Sequence, residues 1–272
     1  MEYEIKPKEK LNLGIDELWH YRELFYFFTW RDIKVKYKQT FLGFAWAVLQ
    51  PFFMMVIFSL FFGQALKVPS ENLPYPIFVF SGLLLWNIFS TGITAAGNSM
   101  VSNANIIKKI YFPRLIIPLS SVLVSLFDFF MAFLIFIGML IYYQLPVNVF
   151  KLILFIPTGI LICCIATFGL GTLLAALNIK YRDFRYIIPF LVQSLLFITP
   201  VIYPVSMLSH EWLKYIVALN PMYAAVTIFR SGFVTTPMEY NLLLVSLGSA
   251  LFFFFVGLYY FRSTEAYFAD LA

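Results

Sequence analysis

Six apolar stretches dominate this sequence, and they leave few folds open to it. They run over Phe41–Phe62, Pro76–Ala96, Leu115–Tyr142, Phe150–Leu177, Tyr186–Tyr203 and Leu242–Phe261. Each is close to or above the roughly 20 residues a helix needs to cross the hydrocarbon of a bilayer. Inside lipid every backbone polar group must be bonded within the protein, so such runs cross as helices. The chain is predicted to be all-α, a polytopic membrane protein with six transmembrane helices in one domain spanning 1–272. Charge agrees with that reading. Only 12% of residues are charged and 61% are hydrophobic, whereas soluble domains carry about 25% charge. The N-terminal "MEYEIKPKEKLNLGIDE" has no apolar core, so no cleavable signal is expected and the first span directs insertion.

Lysine and arginine set the orientation. Lys6, Lys8, Lys10, Arg22, Arg31, Lys34, Lys36 and Lys38 precede the first span. Lys108, Lys109 and Arg114 lie in the second loop, Lys180, Arg182 and Arg185 in the fourth, and Arg262 in the tail. The other side holds only Lys67, Lys151, Lys214 and Arg230. Both termini are therefore expected in the cytoplasm. The domain divides into a cytoplasmic N-terminus and interface helix (1–40), spans one to five (41–203), an outer region (204–241), span six (242–261) and a cytoplasmic tail (262–272).

The outer region contains two apolar pieces, "EWLKYIVAL" and "MYAAVTIF", split by Asn220-Pro221. Each is too short to cross alone. Two short helices re-entering the outer leaflet are expected, packed against a cavity or pore that satisfies the break; an amphipathic external loop is the alternative. Before the first span, "ELWHYRELFYFFTWRDIKVKYKQ" mixes aromatic and basic residues. That mixture suits an amphipathic helix in the cytoplasmic interface, and also suits simple membrane anchoring.

Several chemistries have no motif here. No phosphate-binding G-x-x-x-x-G-K-[ST] occurs, nor H-E-x-x-H, and the two histidines, His20 and His210, have no ligand partners near them in sequence. No nucleophile elbow is legible. The adjacent Cys163 and Cys164 are read as small buried residues. Asp128 is the one carboxylate well inside a span. It must face protein, find a partner or be protonated; a structural hydrogen bond and a place in a transport path are both open. Matched broken helices of a secondary carrier are not visible, so a transporter of this kind draws its energy from a partner.

The second loop, "NANIIKKIYFPRLIIPLSS" from Asn103 to Ser121, is short, basic and stiffened by Pro113 and Pro118. It reads as a small helix ended by Pro113. Ile106, Ile107 and Ile110 form its apolar edge, and Lys108 and Lys109 its charge. Such an element fits a groove on a soluble partner, with the charges steering the encounter. A positive-inside anchor is the simpler reading of the lysines.

These residues resemble a known family. "WRDIKVKYKQTFLGFAWAVLQPFF" (Trp30–Phe53), "KKIYFPRLIIPLSS" (Lys108–Ser121), "NIKYRDFRYIIPFLVQSLLFITPVIYP" (Asn178–Pro204), "LNPMYAAVTIFRSG" (Leu219–Gly232) and the terminal "FRSTEAYFADLA" together look like the membrane subunit of ABC-2 type exporters. The branch is the one that moves polysaccharides such as O antigen and teichoic acid. The resemblance implies a homodimer with a channel between the copies and two copies of a separate ATPase docked beneath. It implies no cofactor on this chain, ATP and Mg on the ATPase, and no nucleic-acid partner. It places the chain in the bacterial inner membrane, with the second loop as coupling helix. Asn105, Ile106, Ile107, Lys108, Lys109, Ile110 and Tyr111 are the expected ATPase-docking residues.

Sugar rings present apolar C–H faces, and flat aromatic side chains hold such faces without fixing one hydrogen-bond pattern, as they do for nucleic-acid bases. Phe41, Trp46, Phe52, Phe197 and Tyr203 are the candidate channel residues, although any one aromatic is as well explained by packing or lipid. Arg31, Lys34 and Lys36 are the candidate contacts for a lipid headgroup. The leading reading is the channel-forming subunit of an ATP-driven exporter of lipid-linked polysaccharide. An ABC-2 exporter of teichoic acid, capsule, drug or lipid is the near alternative. A membrane enzyme acting on lipid-linked sugars is the distant one, weakened because Asp183 and Glu211, the loop acids nearest the spans, fall on opposite sides.

Overall fold

Apolar runs become long helices here, and the polar and proline-bearing segments between them become short ones. The computed structural model describes residues 15–38, 42–146, 148–234, 238–265 and 268. The helices are α1 (Ile15–His20), α2 (Arg22–Tyr37), α3 (Ala45–Phe58, continued as a π-helical stretch Ser59–Ala65), α4 (Tyr75–Ser102) and α5 (Ala104–Ile107). They continue with α6 (Ile116–Tyr142), α7 (Val149–Lys180), α8 (Phe184–Ile198), α9 (Glu211–Ala218), α10 (Met222–Arg230) and α11 (Tyr240–Thr264). Among the described residues there is no strand.

α4 is the axis of the bundle. Pro74 and Pro76 frame its first turn, where missing N–H donors cost nothing. Its apolar residues lie on every side, and Ile77 to Leu85 are all buried, as a helix surrounded by protein requires. α6 and α7 flank it, and α11 packs on the far side of α7. α4 runs two turns beyond the apolar span expected to end at Ala96. Gly97, Asn98 and Ser99 are polar or small, yet they are held in the helix by α7, where Asn178 Nδ2 donates to Gly97 O at 2.8 Å.

The α7–α11 crossing depends on glycine. A Cβ on Gly257 would lie 2.0 Å from the Gly169 carbonyl oxygen and 2.8 Å from Thr172 Oγ1. Gly257→Val is therefore expected to force the helices apart and cost about 1–3 kcal/mol by overpacking. Gly248→Ala, in the same helix with nothing within 4 Å of its added Cβ, is the control. Thermal unfolding of the detergent-solubilised chain compares them, and equal midpoints would contradict the close packing.

Five helices are long and apolar enough to cross a bilayer: α3 with its π extension, α4, α6, α7 and α11. The fifth span expected over Tyr186–Tyr203 is shorter than read. α8 stops at Ile198 because Pro200 drives Thr199 into extended backbone, φ −78° and ψ 136°. Its 15 residues cover about 22 Å, and the chain continues past it in non-helical form.

The segment 204–241 does contain two short helices, bent by 97° between α9 and α10. Its break is satisfied by protein hydrogen bonds. Asn220 Oδ1 accepts from Met222 N at 3.0 Å and its Nδ2 donates to Thr199 Oγ1 at 2.7 Å. From α11, Ser246 Oγ donates to Asn220 O at 2.8 Å and Ser249 Oγ to Leu219 O at 2.6 Å. α10 ends in Arg230, which is buried. Its guanidinium donates to Ser81 Oγ (3.2 Å), Pro200 O (2.8 Å), Phe78 O (2.9 Å) and Val201 O (3.1 Å). It also stacks 3.7 Å over the Phe78 ring.

α2 buries Phe28, Ile33 and Tyr37 and leaves Tyr26, Phe27 and Trp30 exposed, as α1 does Trp19. α2 packs alongside α6. Phe28 meets Phe112 ahead of α6, with ring centroids 5.6 Å apart, while Ile33 and Tyr37 pack with Val124. Below, Phe28, Met100, Ile107, Phe112, Leu115, Phe261 and Phe268 form one apolar cluster. Glu265 ties the tail to it, accepting from Arg114 N at 3.2 Å and Arg262 Nη1 at 2.7 Å.

Candidate functional site

Between α2 and α4 lies an open groove of about 960 Å³, the upper end of the range for small-molecule sites. Its floor is one face of α4. Ser90, Thr91, Thr94, Asn98 and Ser102 recur at helical spacing and cover about 18 Å of the axis. Arg31, Asp32, Val35 and Lys36 of α2 form one wall, and Asn103, Asn105 and Ile106 close the end nearest α5.

The floor presents mostly acceptors. Thr91 Oγ1 donates to Asn87 O at 2.6 Å, Thr94 Oγ1 to Ser90 O at 2.7 Å, and Asn98 Nδ2 to Thr94 O at 2.8 Å. The two threonine hydroxyl donors are spent within the helix, and each hydroxyl oxygen keeps lone-pair capacity; Asn98 keeps a second amide N–H, and its Oδ1 already accepts from Asn178 Nδ2 at 3.1 Å. The wall supplies cations. Arg31 Nε and Nη2 bond Asp32 Oδ1 at 2.8 and 2.7 Å, and Nη2 also donates to Asn103 Oδ1 at 2.9 Å. Its guanidinium lies 4.6 Å over Phe28.

Asp128 is buried and has two partners, both from α2: the Lys36 ammonium and the Tyr37 hydroxyl, which donate to separate carboxylate oxygens. Burial first, then the Asp128 carboxylate, hold the Tyr37 phenol above its ordinary range, so it stays a donor. Of the two readings left open for Asp128, the structural one has its partners here. Asp128→Leu would strand both donors and is expected to cost about 1–3 kcal/mol. Asp128→Asn keeps an acceptor oxygen and is expected to cost less. Equal unfolding midpoints for the two variants would contradict the pairing.

The candidate headgroup residues divide. Arg31 and Lys36 line the groove, with Lys36 committed in part to Asp128. Lys34 points elsewhere, 5.2 Å over the exposed Trp30 ring.

The docking segment is less helical than its sequence suggests. α5 holds only four residues, and residues 110–112 leave the helical conformation before Pro113. Phe112, buried and preceding proline, draws the chain inward. The expected apolar edge changes accordingly. Ile107 is 5% exposed and anchors the cluster beneath α2. Asn105 and Ile106 face the groove. The exposed surface is Lys108, Lys109, Ile110 and Tyr111, with Ile110 at 61% and Tyr111 at 71%.

The candidate channel aromatics are not gathered into one site within this chain. Trp46 lines a small pocket of about 50 Å³ with Gln50, Asn87 and Asp128, and Lys36 and Thr91 border both it and the groove. Phe52 packs against the core. Phe197 is exposed on α8, and Tyr203 donates its hydroxyl to Phe197 O at 2.9 Å. Phe41 lies outside the described residues. The hydroxyl face of α4 is what sequence reading missed. Its signal was present in the spacing of Ser90, Thr94, Asn98 and Ser102 inside an otherwise apolar run.

A family model described as ABC-2 type transporter matches residues 23–234, which takes in α2 through α10. The chain belongs to the ABC-2 type transporter family. It is a membrane component of transport, not an enzyme by family. Curated relatives extend the match. An O-antigen export system permease protein RfbA of Myxococcus xanthus is 33% identical over 80% of this chain and 83% of its own length. A protein of the same name from Klebsiella pneumoniae is 27% identical over 97% and 98%. The polysialic acid transport protein KpsM of Escherichia coli is 21% identical over 86% and 91%. The groove, the loop 103–114 and the α9–α10 break all fall within the ABC-2 match.

Proposed function

We propose that this chain is the channel-forming subunit of an ATP-driven exporter that moves lipid-linked polysaccharide across the bacterial inner membrane. The carrying observation is that one short loop serves two surfaces. Asn105 and Ile106 line the groove, while Lys108, Lys109, Ile110 and Tyr111 face outward. An ATPase seated on the outward face would bear directly on the groove's rim. The names of the relatives supply the cargo class, O antigen or a polysialic acid. The lysine and arginine bias puts that loop and both termini in the cytoplasm, with α8 counted as the fifth crossing.

A second copy completes the path. α8 buries only Ile188 and exposes Tyr186, Phe190 and Phe197. α3 exposes Trp46, Phe53, Ile57 and Phe61. A short helix with so little packing gains most from a neighbouring chain, and these two faces are the proposed walls of the channel between copies. ATP and Mg belong to the partner ATPase in this scheme.

The test is purification of the tagged chain from native membranes in mild detergent, with mass spectrometry of what accompanies it. A stoichiometric protein carrying a Walker phosphate-binding motif is the expected result. A chain that emerges without one, even after gentle crosslinking, would overturn the reading.

A further inference from the structure

The exposed stretch Lys108–Tyr111 is held between two anchors. On one side Ile107 is buried in the apolar cluster that also takes in Phe28, Phe112 and Phe261. On the other side the anchor comes from 151 residues further along the chain. α6 starts without a side-chain cap of its own, and Glu265, just past α11, supplies the carboxylate at its entrance. Glu265 Oε1 accepts from Arg114 N at 3.2 Å, and Oε2 accepts from Arg262 Nη1 at 2.7 Å. A carboxylate accepting a backbone N–H beside a helix N-terminus makes a charge-assisted bond, stronger than a neutral one. The Arg262 and Glu265 side chains are 8% and 14% exposed, so water competes little for it. Phe268 is buried against Phe261, with ring centroids 5.0 Å apart, and the Arg114 guanidinium lies 6.0 Å from the Phe268 ring. Arg114 is thus gripped through its main chain by Glu265 and through its side chain by Phe268.

Behind that grip there is little slack. A Cβ on Gly257 of α11 would lie 2.0 Å from the Gly169 carbonyl oxygen, and a Cβ on Gly169 of α7 would lie 2.5 Å from Phe254 Cα. Helices packed this closely transmit a displacement instead of absorbing it. α7 in turn packs along α4. A displacement of the loop therefore has two routes into the bundle. One runs along the chain into α4 and α6, and the other crosses the Arg114–Glu265 bond into α11 and α7. We propose that Glu265 and Phe268 are positioning residues that couple the docking loop to α11, so that a partner pressing on Lys108–Tyr111 moves α11 together with α6. Phe268 is fully buried and Glu265 nearly so, so both act through the loop and not by touching the partner. This inference rests on the ATPase-docking reading above and names the residues that carry the loop's motion to a helix not contiguous with it in sequence.

The experiment uses the full chain with its co-purified ATPase in lipid nanodiscs. It reads backbone amide exchange by mass spectrometry, without nucleotide and with ATP plus vanadate. In the unaltered complex the nucleotide is expected to change exchange in both 108–118 and 254–265. Glu265→Ala is expected to raise exchange in 110–116 about tenfold, the loss of one hydrogen bond to a charged group. It is also expected to abolish the nucleotide response of 254–265 while leaving that of 108–118, and co-purification of the ATPase, intact. Arg262→Met with Glu265→Ala removes both charges and strands neither, which keeps the comparison available if the single substitution disturbs folding. Glu265→Gln keeps an acceptor for Arg114 N and is expected to restore the response. A general rise in exchange through α4 and α7 with the nucleotide response of 254–265 unchanged would make Glu265 structural only and overturn the proposal. A response at 254–265 that survives both alanine variants, or that is missing from the unaltered complex, would also overturn it and leave the ATPase reading standing. A chain that carries no ATPase would overturn that reading and this inference with it.

Discussion

Arg230→Met is expected to loosen the packing where α4, α10 and the segment after α8 meet, lowering stability by about 3–6 kcal/mol. The figure comes from leaving the Pro200 and Val201 carbonyls without this donor, at about 1–3 kcal/mol each, with the lost cation–π contact of about 2 kcal/mol largely offset by no longer burying a charge. Arg230 donates to Pro200 and Val201, just past α8, and to Phe78 near the start of α4. One side chain on α10 therefore joins three elements. Methionine fills similar space and donates nothing. Gly82 makes room for the clamp, since a Cβ there would sit 2.9 Å from Arg230 Nη2 and 3.1 Å from Val201 Cα. Arg230→Lys is expected to fall between, because a single ammonium cannot copy the planar fork. Fluorescence-detected size exclusion after stepped heating reads the midpoints. An Arg230→Met midpoint equal to that of the unaltered chain would show that the clamp contributes nothing.

The second large effect is expected at the docking face. Ile110→Asp together with Tyr111→Asp should remove co-purification of the ATPase and reduce transport at least a hundredfold. The chain itself should fold as before, because Ile110 and Tyr111 are 61% and 71% exposed. Ile107→Asp is a different experiment. That residue is buried beneath α2, and an unpaired carboxylate there destabilises the fold before any partner is involved. Lys108→Glu with Lys109→Glu should act mainly on the association rate, with the defect shrinking as salt rises. A pull-down and a salt series separate the three variants. Normal co-purification by the Ile110/Tyr111 pair would remove this loop from the docking surface.

What was legible in the sequence followed from hydrophobicity and from chain-breaking residues. Long apolar runs located α3, α4, α6, α7 and α11, because bilayer thickness converts directly into helix length. Asn220-Pro221 located the break between α9 and α10. Three features were not legible. The Asp128 partners are ninety residues away in sequence, on a helix whose lysine also suited a lipid headgroup. Arg230 reads as an outer-side charge, and only packing turns it into a clamp on backbone carbonyls. The α4 hydroxyl face was overlooked because serine and threonine hardly lower the mean hydropathy of a run. Their threonine donors also back-bond to the helix, so they read as tolerated polar residues until the groove above them is seen. The docking loop shows the opposite error. Its isoleucines were read as one apolar edge, but Ile106, Ile107 and Ile110 face the groove, the core and the surface respectively.

The central claim is that this chain passes glycan through the membrane only when a separate ATPase is seated on its loop. Inside-out vesicles containing the chain and its co-purified ATPase test it most directly, supplied on the outside with labelled diphosphate-linked glycan lipid. Label should become protected inside the vesicles with ATP and magnesium, and remain accessible with a non-hydrolysable ATP analogue or with the Ile110→Asp, Tyr111→Asp chain. Protection that develops without ATP, or with the chain alone, would contradict the account.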